Sequence, residues 1–63
     1  MRIRTEWEEL RIEIQDDSDQ DIDLAAARQV ADERLRERGE ADRWTFTESY
    51  AKRYNRAIIM YMR

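Results

Sequence analysis

Residues 1–14, MRIRTEWEELRIEI, decide how the chain begins to fold. Met1, Ile3 and Trp7 alternate with Arg2, Arg4 and Glu6, the two-residue period of a strand with one buried face. Leu10, Ile12 and Ile14 resume the alternation against Arg11 and Glu13, but the step from Trp7 to Leu10 is three residues, so the phase slips by one. A β-bulge absorbs such a slip and returns both apolar sets to one face. A tight hairpin instead wants Gly, Asn or Asp at positive φ, and Glu8 and Glu9 are poor candidates for it. The spacing therefore predicts one long, bent strand, with a hairpin as the alternative because such a strand exceeds the usual length.

The segment that follows, DDSDQDID at 16–23, carries five Asp and leads into Leu24, Ala27, Val30, Ala31, Arg34 and Leu35, the i, i+3, i+4, i+7 pattern of one helix face. Asp23 is placed as N-cap, with Ile22 and Ala27 as a hydrophobic staple and Ser18 with Asp21 as an earlier capping option. Gly39, the one Gly in the chain, supplies the stop. Beyond it Trp44 and Phe46 alternate with Arg43, Thr45 and Thr47 as a strand, residues 50–55 form a connection with Asn55 as the best turn residue, and 57–62 are a continuous apolar run of strand length. The order reads β-α-β-β, with ββαββ as the competitor. Either is an α+β domain, an antiparallel sheet packed against a single helix, in one unit over 1–63.

Sixty-three residues permit one small core, and Val, Ile and Leu together number ten. A domain of this size buries only about 60% of its unfolded surface. Without Cys or His there is no disulfide framework, zinc site, thiol chemistry or imidazole base, and no cofactor is expected. No apolar run reaches membrane-span length, and MRIRTEWEEL lacks the apolar centre of a signal peptide. A soluble, cytoplasmic protein is the expectation. The remaining catalytic candidates are Glu8, Glu9, Glu48, Ser18 and Ser49, with no recognisable base beside either serine, so an enzyme is not expected.

Charge is unevenly placed. Residues 1–42 hold 7 basic and 14 acidic groups, and residues 43–63 hold 5 and 1, although folding can bring the halves together and cancel the field. Asp17, Asp19, Asp21 and Asp23 fall at every second position. An EF-hand reading fails because its glycine position is Ile22 and its closing glutamate position is Arg28. Evenly spaced carboxylates also resemble a phosphate backbone and suit a basic groove on a partner, although acidic residues ahead of a helix simply favour its positive end. Tyr50, Lys52, Arg53, Tyr54 and Arg56 interleave rings and cations as single-strand-binding surfaces do, the simpler reading being a turn whose rings cover the end of a small core.

In the run 57–62 both alternating sets are apolar, whereas a strand with a helix on one side and water on the other should alternate. Ile58, Met60 and Met62 are the candidates for self-association, unless the first strand curls over them.

With MRIRTEWEELRIEI, the helix LAAARQVADERLRERG and the pair RWTFTES and AIIMYMR laid out, the chain resembles small phage-encoded inhibitors of bacterial defence, including anti-CRISPR proteins. The resemblance lies in size, acidity and layout over the whole chain, without a shared motif. It implies a non-catalytic viral protein, at work in the host cytoplasm, that blocks a nucleic-acid-handling complex by occupying a charged surface. Missing Pro and Cys also suit a designed miniprotein without natural function, whereas eleven Arg against one Lys and the run IIMYM favour a natural origin. The expected function is thus non-enzymatic occupation of a protein partner, with a nucleic-acid-binding module or a structural homo-oligomer as alternatives.

Overall fold

The computed structural model describes residues 1–17, 22–53 and 55–63. Among the described residues, four strands and one helix follow the order β1 (Arg2–Glu6), β2 (Arg11–Gln15), α1 (Leu24–Glu37), β3 (Thr45–Ala51) and β4 (Arg56–Met62), with a 3-10 turn at Ala41–Arg43. The strands form one sheet in the order β1-β2-β4-β3, every neighbouring pair antiparallel, and α1 packs on one face. The α+β class and the single helix match the sequence expectation. The arrangement is ββαββ, because residues 1–15 form a hairpin and not one bent strand.

The hairpin escapes the chemical objection raised by Glu8 and Glu9. Glu6 pairs with Arg11, so residues 7–10 make a four-residue loop, a length usually built around a type I turn that needs no positive φ. Among the described residues only Arg53 and Gly39 have positive φ. Reversal of the chain, not an inserted residue, accounts for the three-residue step between Trp7 and Leu10. Ile3 then stands opposite Ile14 and Thr5 opposite Ile12, on the helix-facing side.

Helix α1 is bounded as its sequence dictates. The Asp23 carboxylate accepts from the amides of Ala25 and Ala26 at 2.9 and 3.5 Å, satisfying donors that the first turn leaves free. At the other end Gly39 adopts φ 69°, its N–H donates to the Arg36 carbonyl at 3.0 Å, and the N–H of Glu40 donates to the Leu35 carbonyl at 2.9 Å. This pair of bonds is the Schellman arrangement, and it explains the position of the only glycine.

Ala27, Ala31 and Leu35 carry the buried stripe of the helix, packed with Leu10, Ile12, Ile14, Trp44, Ala57, Ile59 and Tyr61. Three small or medium helix residues let the sheet approach closely, and the long apolar side chains come mainly from the strands. Ile58 is as inaccessible as Ile59 but belongs to the opposite face. In register it lies between Glu13 on β2 and Tyr50 on β3.

The second half departs from expectation in two places. Strand β3 continues through Tyr50 and Ala51, with an irregularity between Phe46 and Glu48, so the connection is shorter than 50–55. Among the described residues of that turn the left-handed one is Arg53, at φ 68°, and not Asn55. Asn55 instead clamps the segment after β2: its carbonyl accepts from the Asp16 amide at 2.9 Å, and its side-chain amide donates to the Asp16 carbonyl at 3.4 Å.

Candidate functional site

The sheet face without the helix is the surface to consider. Strand pairing places Glu6, Arg11, Met60 and Glu48 in one cross-strand row on that face, from β1 to β3. Two residues along each strand, Arg4, Glu13, Ile58 and Tyr50 form the next row on the same face. The row between them, Thr5, Ile12, Ile59 and Ser49, turns toward α1.

The two ends of this face differ in charge. At the end carrying the β1–β2 loop, Glu6, Glu8 and Glu9 border an open depression of about 640 Å³ shared with Trp7, Arg11, Tyr50 and Met60. Glu48 lies in register with Met60 at the same end. At the other end Arg2, Arg4 and Arg56 surround a depression of about 510 Å³ together with Ile3, Glu13 and Gln15. Arg56 is paired with Glu13 at 3.6 Å and Arg4 with Glu6 at 3.6 Å. Tyr50 is 41% exposed and Met62 58% exposed, so apolar surface sits in water at the acidic end and centre.

The predicted contact residues are distributed as follows. Asp19, Asp21 and Tyr54 lie outside the described residues. Asp17 pairs with the Met1 amino group at 3.1 Å, and Asp23 is committed to the helix cap, so the described part of the Asp run has structural partners. Lys52 and Arg53 are exposed in the β3–β4 turn, and Tyr50 and Arg56 stand on the open face of the sheet. Cation–ring contacts occur elsewhere: Arg28 lies 3.7 Å over Phe46, Arg38 4.4 Å over Trp7 and Arg63 5.0 Å over Trp44. Each of these helps fasten a helix or terminal residue to an aromatic of the core edge.

Ile58, Met60 and Met62 do share the open face. Ile58 is fully covered by its own chain, Met60 is partly covered, and Met62 is the exposed member. Sequence reasoning missed Glu6, which borders the same depression as Met60, and assigned Glu8, Glu9 and Glu48 only to catalysis. The available signal was the hairpin alternative, which turns Glu8 and Glu9 back beside the end of β4.

Glu8, Glu9 and Glu48 are all exposed, without the enclosure that acid–base catalysis by carboxylates uses. Ser49 lies on β3 opposite Ile59, and Ser18 is outside the described residues. Among the described residues no group of three or more acidic side chains is arranged to hold a metal ion, and no helix is long and apolar enough to cross a membrane. No family model matches the chain, and neither the curated proteins nor the solved structures provide a match.

Proposed function

We propose that the chain is a non-enzymatic binding protein that occupies a basic surface of a protein partner, as expected of a phage-encoded inhibitor of a nucleic-acid-handling defence complex. One observation carries this reading: exposed Tyr50 and Met62 and partly exposed Met60 stand beside Glu6, Glu8, Glu9 and Glu48. Apolar side chains supply burial at the centre of a contact, and the carboxylates match the cations with which such a complex holds phosphates. The contact surface thereby moves from the Asp run to the loop end of the sheet. On this reading the protein works in the host cytoplasm and needs no cofactor.

A second reading, direct binding of single-stranded nucleic acid, draws on Arg2, Arg4, Lys52, Arg53 and Arg56 at the other end of the molecule. Its support is weaker because Arg4 and Arg56 already have carboxylate partners.

Immobilised protein separates the two. Wild type should retain nucleic-acid-binding proteins from a bacterial lysate, duplex DNA should displace them, and Glu8→Lys/Glu9→Lys/Glu48→Lys should fail to retain them. Retention that survives both the DNA and the triple variant contradicts the proposal. Salt-dependent binding of oligonucleotides to the isolated chain, lost in Arg53→Glu/Arg56→Glu, favours the second reading.

A further inference from the structure

We infer that the open sheet face is complementary to itself and pairs face to face with a second copy of the chain, about a twofold axis that runs across the strands. The order of residues in the two rows on that face carries this pairing, independently of the partner proposed above.

A twofold axis in the plane of the interface and perpendicular to the strands keeps the strand order and exchanges the two ends. If it passes at the level of Thr5, Ile12, Ile59 and Ser49, the row Glu6, Arg11, Met60, Glu48 of one copy lies over the row Arg4, Glu13, Ile58, Tyr50 of the other. Glu6 then meets Arg4, Arg11 meets Glu13, Met60 comes over the side chains that enclose Ile58, and Glu48 meets the Tyr50 ring edge or hydroxyl. Every charged residue of β1 and β2 in these rows faces its opposite. On β4 the accessible apolar residue of these rows is Met60, since Ile58 is already enclosed by its own chain.

The flanking residues follow the same order. Glu8 and Glu9 at the loop end come toward Arg2 at the far end of the other copy. Sheet twist, which sets packed sheets about 30° apart, disturbs such outer contacts more than the two central rows. The other in-plane axis, parallel to the strands, is disfavoured by the same residues: it lays β1 over β3, so that Glu6 meets Glu48, and lays Arg11 over Met60.

The resulting assembly has four layers, helix, sheet, sheet and helix, and it covers the part of Met60 that its own chain leaves accessible. The intrachain Arg4–Glu6 pair at 3.6 Å becomes part of a four-charge cluster across the axis. If a basic partner binds as proposed above, it and a second copy compete for the same face.

A charge exchange between the rows tests this arrangement and not merely self-association. The variant Glu6→Lys/Arg11→Glu sets like charges against Arg4 and Glu13 of its own copy's mate. The variant Arg4→Glu/Glu13→Lys does the same in reverse. Each alone should dissociate about tenfold or more readily than wild type in sedimentation velocity at low salt. Mixed in equal amounts they should recover a dimer, because all four charge pairs are then attractive. Circular dichroism on each variant verifies the fold, and Met60→Glu, which needs no exchange of partners, should also give a folded monomer. Wild type that stays monomeric at high micromolar concentration overturns the inference without recourse to any variant. So does a wild-type dimer that both charge variants retain, or a mixture that stays monomeric.

Discussion

The hydroxyl of Tyr61 donates a 2.6 Å hydrogen bond to Oδ1 of Asp32, tying the last strand to the middle of the helix. The other oxygen of Asp32 lies 3.8 Å from Arg28, whose guanidinium covers the Phe46 ring, and Phe46 meets Tyr61 edge-on at 6.1 Å between ring centres. One small network therefore joins α1, β3 and β4 beside the thin apolar core.

The same network makes stability depend on alkaline pH. Burial of the phenol, then the hydrogen bond to Asp32 and its negative charge, push the Tyr61 pKa well above its ordinary value, with Arg28 acting in the opposite direction. The ordinary phenol pKa is about 10, so the contribution is fully present below that pH. Above it the unfolded chain releases a proton that the folded chain keeps, and stability falls as pH rises toward the folded-state value. Tyr61→Phe should lower stability at neutral pH by about 1–2 kcal/mol. It should also flatten the alkaline decline and remove the latest component of the tyrosinate absorbance titration. An alkaline decline of unchanged steepness in the variant contradicts this assignment.

Arg53 occupies the left-handed region at φ 68°, where a side chain costs about 1–2 kcal/mol relative to glycine's freedom. Arg53→Gly gives back part of that cost through the greater entropy of the unfolded chain. The expected result is a net gain of about 0.5–1 kcal/mol in chemical denaturation. A loss of stability would show that the Arg53 side chain contributes a contact larger than the strain.

Thr5 faces the helix side opposite Ile12, and its hydroxyl is buried without a hydrogen-bond partner among the described residues. Thr5→Val keeps the branched shape and removes the stranded polar atom. It should raise stability by about 1 kcal/mol, read from the denaturation midpoint at unchanged slope. A lower midpoint would mean that the hydroxyl is satisfied in solution.

The helix was legible in sequence because its signals agree: Asp23 at the start, Gly39 at the end, and Ala27, Ala31 and Leu35 at helical spacing between them. The class followed from the alternation on either side. The β1–β2 hairpin was harder to read because a four-residue loop carries no glycine requirement, so Trp7, Glu8, Glu9 and Leu10 offer no residue-type signature. Arg53 was illegible for the converse reason, since it sits where propensity predicts glycine or asparagine and pairing of β3 with β4 overrides that preference. The open face needed register. Glu6 beside Arg11 and Met60 beside Glu48 are neighbours only after strand order is known, whereas the excess apolar residues of 57–62 were visible from sequence alone.

If the helix-free face pairs with a second copy of the chain, the three methionines report it directly. Met60 and Met62 lie on that face, while Met1 is exposed near Ile14, Ile22 and Val30 beside the helix and serves as an internal reference. Methionine-methyl NMR over a dilution series from high to low micromolar protein should move the Met60 and Met62 resonances together and leave Met1 in place. Three invariant resonances, or movement of Met1 alone, would contradict pairing through this face.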